Sequence, residues 1–288
     1  MDGFYSIWTG PFRRSHQNEQ YEMSDYEILT FVLSVLEWQK HNGDAYLICD
    51  DTAREYLDKK GIIKLFEDRV LGLEVDEAIN PKVFWAAGKL FALSKLTRPM
   101  VMVDLDLIVW KNIDDLIGDS DVYGIHREHI RPEVYPEKEY FKFKNGYEFP
   151  EDYDWDALPL NTALLYIKDI DFIHKYADKA IDFMYHTDES NENLKHMVFA
   201  EQRLLPILAA KYNKSIKTMF DVGENIGYQE YFTHVWGHKN ILKYNDEEKQ
   251  KFCSRIVNRI KKDYPDAYEV ISGISELQNL RVFKEAKT

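Results

Sequence analysis

The chain has 288 residues, 45% of them hydrophobic, and its 37 basic against 50 acidic side chains give a formal charge of −13. That length and composition can bury a sizeable α/β core, which excludes a disordered chain. The acidic excess excludes a general nucleic-acid binder, which needs clustered Lys and Arg to neutralise phosphates; the densest basic pairs, Arg13-Arg14 and Lys261-Lys262, read as solvated surface.

The N-terminus lacks a basic segment followed by a long apolar run, and no window is long enough to span a membrane, so a cytoplasmic chain is expected. Cys49 and Cys253 lack metal-type spacing and read as core thiols. In chain order, residues 4–8 read as a strand and residues 26–39 as a helix, because Ile28, Phe31, Val32, Val35 and Leu36 recur at helical spacing. Residues 45–49 form a continuous apolar run ending in Asp50-Asp51, the pattern of a buried parallel strand feeding a helix. Asp50 and Asp51 read as helix caps, and Thr52 to Glu55 has capping-box spacing. A helix over 54–60, a short strand over 69–73 and a helix over 83–96 follow. This alternation predicts a mostly parallel sheet with helices on its faces. Residues 127–159, with Pro132, Pro136, Pro150 and Pro159, read as a long loop region. Its Tyr135, Tyr140, Phe141, Phe143, Tyr147, Tyr153 and Trp155 suit either sugar stacking or local packing. A strand over 160–167, helices near 170–185 and 199–211, a turn-rich region over 223–237 and a final amphipathic helix with Phe252, Ile256, Val257 and Ile260 on one face complete the pattern.

The chemistry centres on residues 98–116, RPMVMVDLDLIVWKNIDDL. Side chains alternate across a strand, so Asp104 and Asp106 are expected to project together while Leu105 points away. Two carboxylates at a buried strand end repel unless a cation lies between them, and Mg2+ or Mn2+ is a natural partner for such oxygen ligands. Asp119-Ser120-Asp121 and Asp152-Tyr153-Asp154 repeat the spacing without the preceding apolar run, and so without the strand end at which open α/β sheets bind ligands.

The run from Val103 to Val109 followed by Ile113-Asp114-Asp115-Leu116 resembles the DxD region of GT-A fold nucleotide-sugar glycosyltransferases, especially the glycogenin-like retaining group and its capsular-polysaccharide relatives. Further stretches match in the family's order. Lys89, on the helix before the DxD strand, stands where that group has a basic residue near the donor. Asn161 in LNTALLY resembles the family's Asn-x-Gly strand, with Ala163 in place of Gly, and its alternative reading is a strand-start Asn serving backbone groups. Glu201-Gln202 resembles the Asp-Gln stretch beneath the transferred sugar. His234 in THVWGHK resembles the C-terminal His-x-x-Gly motif, which supplies a third metal ligand; His238 is the fallback ligand, and Lys239 comes one residue early with no following Pro-Trp.

The resemblance implies a mixed, mostly parallel GT-A (Rossmann-like) sheet in one domain over 1–288, with a nucleotide-binding half at 1–116 and a sugar- and acceptor-binding half at 117–288. It implies transfer from a UDP-sugar to a carbohydrate or glycoconjugate hydroxyl, with retention and with Mn2+ or Mg2+ on Asp104, Asp106 and His234. Ile7, Trp8, Thr9, Lys89, Asp104 and Lys239 are then expected around the nucleotide, and Asn161, Glu201 and Gln202 around the sugar. Two other readings compete. A haloacid-dehalogenase-type phosphohydrolase would use Asp104 and Asp106 with Mg2+, and a catalytically silent carbohydrate-binding protein would keep the fold alone.

Overall fold

The computed structural model describes the chain apart from residues 189–191, 193, 225, 228 and 286–288. Strand β1 (Gly3–Ile7) leads through a short helix, α1 (Gly10–Ser15), to α2 (Asp25–His41). The capping box sits here and not at Thr52: the Glu27 carboxylate accepts from the Ser24 amide and hydroxyl at 2.9 and 2.7 Å. Strand β2 (Ala45–Cys49) follows, and Asp50 caps α3 (Asp51–Lys59) by accepting from the Ala53 amide at 2.9 Å. Next come β3 (Val70–Gly72) and α4 (Ala87–Ser94), the latter shorter than the apolar period predicts.

The apolar run around the aspartates breaks in two, as β4 (Val101–Val103) and β5 (Leu107–Val109), with residues 104–106 in a turn closed by the Leu107 amide on the Asp104 carbonyl at 3.1 Å. A short α5 (Asp114–Ile117) and a strand missed by periodicity, β6 (Val122–His126), precede the long loop. Strand β7 (Leu164–Ile167) begins later than expected, because Leu160 makes only an isolated bridge to Arg127. Helix α6 (Ile170–His186) is followed by α7 (Lys195–Val198), a π-helical turn at Phe199–Arg203 and α8 (Leu204–Lys211), where one continuous helix was expected. Then come β8 (Ile216–Phe220), β9 (Phe232–His234), α9 (Lys239–Tyr244) and α10 (Asp246–Asp263). Helices α11 (Pro265–Ser272) and α12 (Arg281–Glu285) end the described chain.

Among the described residues the main sheet has the order β3-β2-β1-β4-β7-β6-β8. It is mixed and mostly parallel, as the sequence predicts: β1 runs parallel to β2 and β4, β2 to β3 and β6 to β8, while β7 opposes both its neighbours. The chain builds outward from β1 through β2 to β3, then returns to place β4 on the other side of β1. That reversal opens a crevice at the carboxyl ends of β1 and β4, the place where open α/β sheets bind ligands.

Helix α2 packs its Phe31, Val32 and Val35 side against the sheet, and α10 covers α2 with Cys253, Ile256, Val257 and Ile260. On the opposite face α4, α6 and α8 enclose a second core containing Phe4, Leu90, Phe172 and Phe183. The long loop contributes to that second core. Phe141, Phe143, Phe149 and Trp155 pack with Phe183 and Phe199 at ring separations of 4.7 to 6.4 Å, so most of the aromatic set is committed to packing and is not displayed for sugars.

Candidate active site

The crevice is a cleft of about 240 Å³ lined by Ile7, Trp8, Lys89, Asp104, Asp106 and Lys239 among others. Trp8, just beyond β1, forms a wall that depends on two glycines. A methyl group on Gly10 would come within 2.3 Å of the indole, and one on Gly88 within 2.5 Å of the Trp8 Cβ. Thr9, expected with Ile7 and Trp8 at the nucleotide, is turned inward: Asp50 accepts from its amide at 2.7 Å and its hydroxyl at 2.8 Å. Asp50 thus pins the post-β1 loop to the start of α3.

The aspartates reach the cleft from a turn, not from one alternating strand, and Leu105 lines the cleft beside them. Their convergence comes from hydrogen bonds on both sides. The Asp104 amide donates to the Ala163 carbonyl at 2.8 Å, extending the β4–β7 ladder, and the Asp106 carbonyl accepts from Val235 at 3.0 Å, extending a ribbon in which β5 pairs antiparallel with β9. This ribbon sets Leu107 opposite His234 and carries the imidazole to 3.6 Å from Asp106. Ligand atoms of Asp104, Asp106 and His234 lie within 4.8 Å of one another. His238 is elsewhere, its ring 6.3 Å from Phe252.

Lys89 has a role that its position on a helix did not reveal. Its ammonium sits between Asp104 at 2.5 Å and Glu201 at 2.6 Å, so its charge is shared by two carboxylates at the edge of the cleft it lines. Burial opposes its charge, yet the two carboxylates hold its pKa well above the usual lysine value. Glu201 is 2% exposed and also accepts from the Thr162 hydroxyl at 3.0 Å. Burial, together with Glu201 and Asp106, raises Asp104 against the pull of Lys89. Burial also pushes Asp106 up, but the nearby imidazole of His234 and the Lys239 ammonium at 2.9 Å outweigh it and leave Asp106 well below the carboxylate range. Lys239 is 41% exposed and lines the cleft.

Asn161 keeps its side-chain oxygen on the Ala163 amide at 3.2 Å, the backbone-serving arrangement. Gln202 accepts from the Tyr135 hydroxyl at 2.6 Å. The residue that sequence reading missed is Arg203, fully buried at the end of the π-helical turn. Its guanidinium donates to the carbonyls of Tyr135 and Pro136, both at 2.8 Å, and of Trp155 at 2.7 Å, tying two points of the long loop to the turn that carries Glu201. Its adjacency to Glu201-Gln202 was the only sequence signal.

Fold and site together define an open α/β protein with a cluster of two carboxylates, an imidazole and flanking lysines at its topological switch point. Residues 1–274 match DUF6734, a family of unknown function, and the chain belongs to that family. No curated protein matches the sequence. Among solved structures the chain is similar to the glycosyltransferase GlyE of Streptococcus pneumoniae TIGR4, with 14% identity, a TM-score of 0.38, and coverage of 76% of this chain and 44% of that one. It is also similar to mouse xyloside xylosyltransferase 1, at 12% identity and a TM-score of 0.36, covering 76% of this chain and 85% of that one. A third is the inositol-1-phosphate CTP transferase from T. maritima, at 10% identity and a TM-score of 0.42, covering 88% and 95%. The chain thus spans less than half the length of the pneumococcal protein. Similarity at this level leaves the activity to be argued from the site itself. Among the described residues no helix is long and apolar enough to cross a membrane.

Proposed function

We propose that this chain is a metal-dependent glycosyltransferase that moves a sugar from a UDP-sugar to an acceptor hydroxyl, with retention, in polysaccharide or glycoconjugate synthesis. The observation that carries the reading is the meeting of Asp104, Asp106 and His234 within 4.8 Å at the crevice between β1 and β4.

The donor set suits a divalent cation. Three carboxylates, Asp104, Asp106 and Glu201, meet two ammonium groups, Lys89 and Lys239, so the cluster keeps a negative charge after its internal pairing, and two carboxylates with an imidazole are a donor set that Mn2+ or Mg2+ accepts. Bound on Asp104, Asp106 and His234, Mn2+ or Mg2+ would supply Lewis-acid stabilisation of the departing diphosphate. The chain's own groups do the rest. Lys239 swings from Asp106 toward the diphosphate and offsets its charge. Ile7 and Trp8 wall the cleft and exclude water beside the base. Lys89 and Thr162 hold Glu201 as the floor of the sugar site, which leaves its gripped oxygen unsuited to attack. Asn161 and Gln202 orient the sugar hydroxyls. Residues 1–116 then supply the nucleotide half and residues 117–288 the sugar and acceptor half of one domain.

A thermal-shift series with UDP, GDP and UDP-sugars, with and without Mn2+, tests this on the wild type and Asp106→Asn. Stabilisation is expected to need UDP and Mn2+ together and to vanish in the variant. A folded protein that shifts with no nucleotide overturns the reading.

A further inference from the structure

Beyond the cleft lies a second cavity of about 380 Å³, between the chain just past β6 and the loop after β8, with Trp236 at its rim. Two of its groups have no structural explanation. Trp236 is 74% exposed, the second most exposed of the large apolar side chains after Tyr244. Arg127 is half-buried, and its Nε is shielded from solvent with no hydrogen-bond partner. Burial lowers its pKa and no carboxylate counteracts that. A half-buried guanidinium without a counter-ion is costly; the Nε of Arg203 also lacks a partner, but its two terminal nitrogens donate to three carbonyls, whereas no side-chain hydrogen bond or ion pair among the described residues engages Arg127.

The acids around the cavity are otherwise engaged or out of reach. Glu128 takes His126 at 3.5 Å and Arg131 at 3.9 Å, and hydrogen bonding to His126, Tyr135 and Asn161 keeps it below the usual range. Glu224 accepts from the Asp221 amide at 2.7 Å. Asp221 lines the cavity, and no ion pair among the described residues joins it to Arg127. The same Glu128 network joins the cavity to the proposed sugar site, since Asn161 reaches Glu128 and Tyr135 reaches both Glu128 and Gln202. Trp236 follows directly on the ribbon that carries His234.

We propose that this cavity is the acceptor subsite and takes a saccharide bearing a carboxylate or phosphate group, its ring stacked on Trp236 and its anion held by Arg127. The inference rests on the glycosyltransferase reading for the word acceptor, but the binding chemistry does not. An aromatic face accepts the apolar face of a sugar ring, and a guanidinium fork matches the planar pair of oxygens on a carboxylate or phosphate. The acceptor hydroxyl would then enter beside Asn161 and Gln202.

The test is a ligand-observed NMR titration without donor or metal, using methyl β-glucuronide, glucose 6-phosphate and methyl β-glucoside on the wild type, Arg127→Gln, Arg127→Lys and Trp236→Ala. The wild type is expected to bind at least one anionic probe about tenfold more tightly than the neutral one, and the tighter anion identifies the source of the charge. Arg127→Gln should erase the difference, Arg127→Lys should keep part of it, and Trp236→Ala should weaken all three probes. Equal binding of neutral and anionic probes, no binding of any, or a preference that survives Arg127→Gln overturns the proposal. If Arg127→Gln does not fold, the Arg127→Lys and wild-type arms decide it. Because UDP and Mn2+ are absent, a failure here with an intact UDP shift removes the anionic acceptor alone, and the reverse result removes the donor reading alone.

Discussion

Asp104 and Asp106 are neighbours in one turn, yet they belong to differently built halves of the cleft. On the Asp104 side, Lys89 from α4, Glu201 from the π-helical turn and Thr162 form a closed network in which every member comes from an element seated in the core. On the Asp106 side, His234 and Lys239 come from the short ribbon and the start of α9, and the lysine is 41% exposed. The first side fixes geometry through charges that cannot leave. The second keeps charges that can change partner, so ligand exchange is expected there, and a change on each side should register in a different measurement.

The largest effect is expected from Lys89→Met, which strands Asp104 and buried Glu201 without their cation. Breaking such a network costs about 3–5 kcal/mol when fully buried, and because Lys89 and Asp104 are each about one-fifth exposed the lower end, about 3 kcal/mol, is expected in urea unfolding. A variant within about 0.5 kcal/mol of wild type would mean that the Asp104 side is not the rigid one. Asp106→Asn should do the opposite. Asp106 is 13% exposed, but of its partners Lys239 is 41% exposed and can return to water, so stability should fall by less than for Lys89→Met, by about 1 kcal/mol, while sugar transfer falls by about a hundredfold or more, the loss of roughly 2.7 kcal/mol of charge stabilisation. A larger fall in stability than in transfer would erase the distinction between the halves. Lys239→Gln should be milder, weakening UDP binding about tenfold, or ~1.4 kcal/mol, and reducing its salt dependence, with unfolding unchanged.

The two halves also differ in how far the sequence revealed them. The β1, β2 and β4 strands, α2 and the aspartate pair were legible because their apolar residues form continuous runs or recur at helical spacing. The β5–β9 ribbon was not, since three-residue strands carry no period and pairing Leu107 with His234 spans more than a hundred residues. The turn at residues 104–106 was misread as strand for a related reason: alternation in Val-Asp-Leu-Asp-Leu fits either conformation, and the long-range bonds to Ala163 and Val235 decide it. Lys89 was placed near the site, but its ion pairs with Asp104 and Glu201 were not legible, because periodicity cannot say which carboxylate a helix faces. Arg203 had only its adjacency to Glu201-Gln202 to mark it, since local sequence does not show that an arginine will be buried against carbonyls of a distant loop.

The smallest expected effect probes the support beneath Glu201. His196 on α7, just before the π-helical turn, is buried among Phe84, Phe141 and Phe183, and burial lowers its pKa from the ordinary 6.5. The folded state therefore resists a proton that the unfolded state accepts, so stability is complete above about pH 6.5 and declines as pH falls toward the lower folded value. One such group contributes at most about 1.4 kcal/mol per pH unit. Urea melts at pH 7.5, 6.0 and 5.0 should show a steeper acid loss in the wild type than in His196→Leu, and parallel losses would remove His196 as the cause. The location of the loss bears on the two halves. Since α7 runs into the turn carrying Glu201, hydrogen exchange on acidification should rise first at residues 199–203 and later at 231–239, making the side that holds its charges most firmly the one whose footing is sensitive to acid.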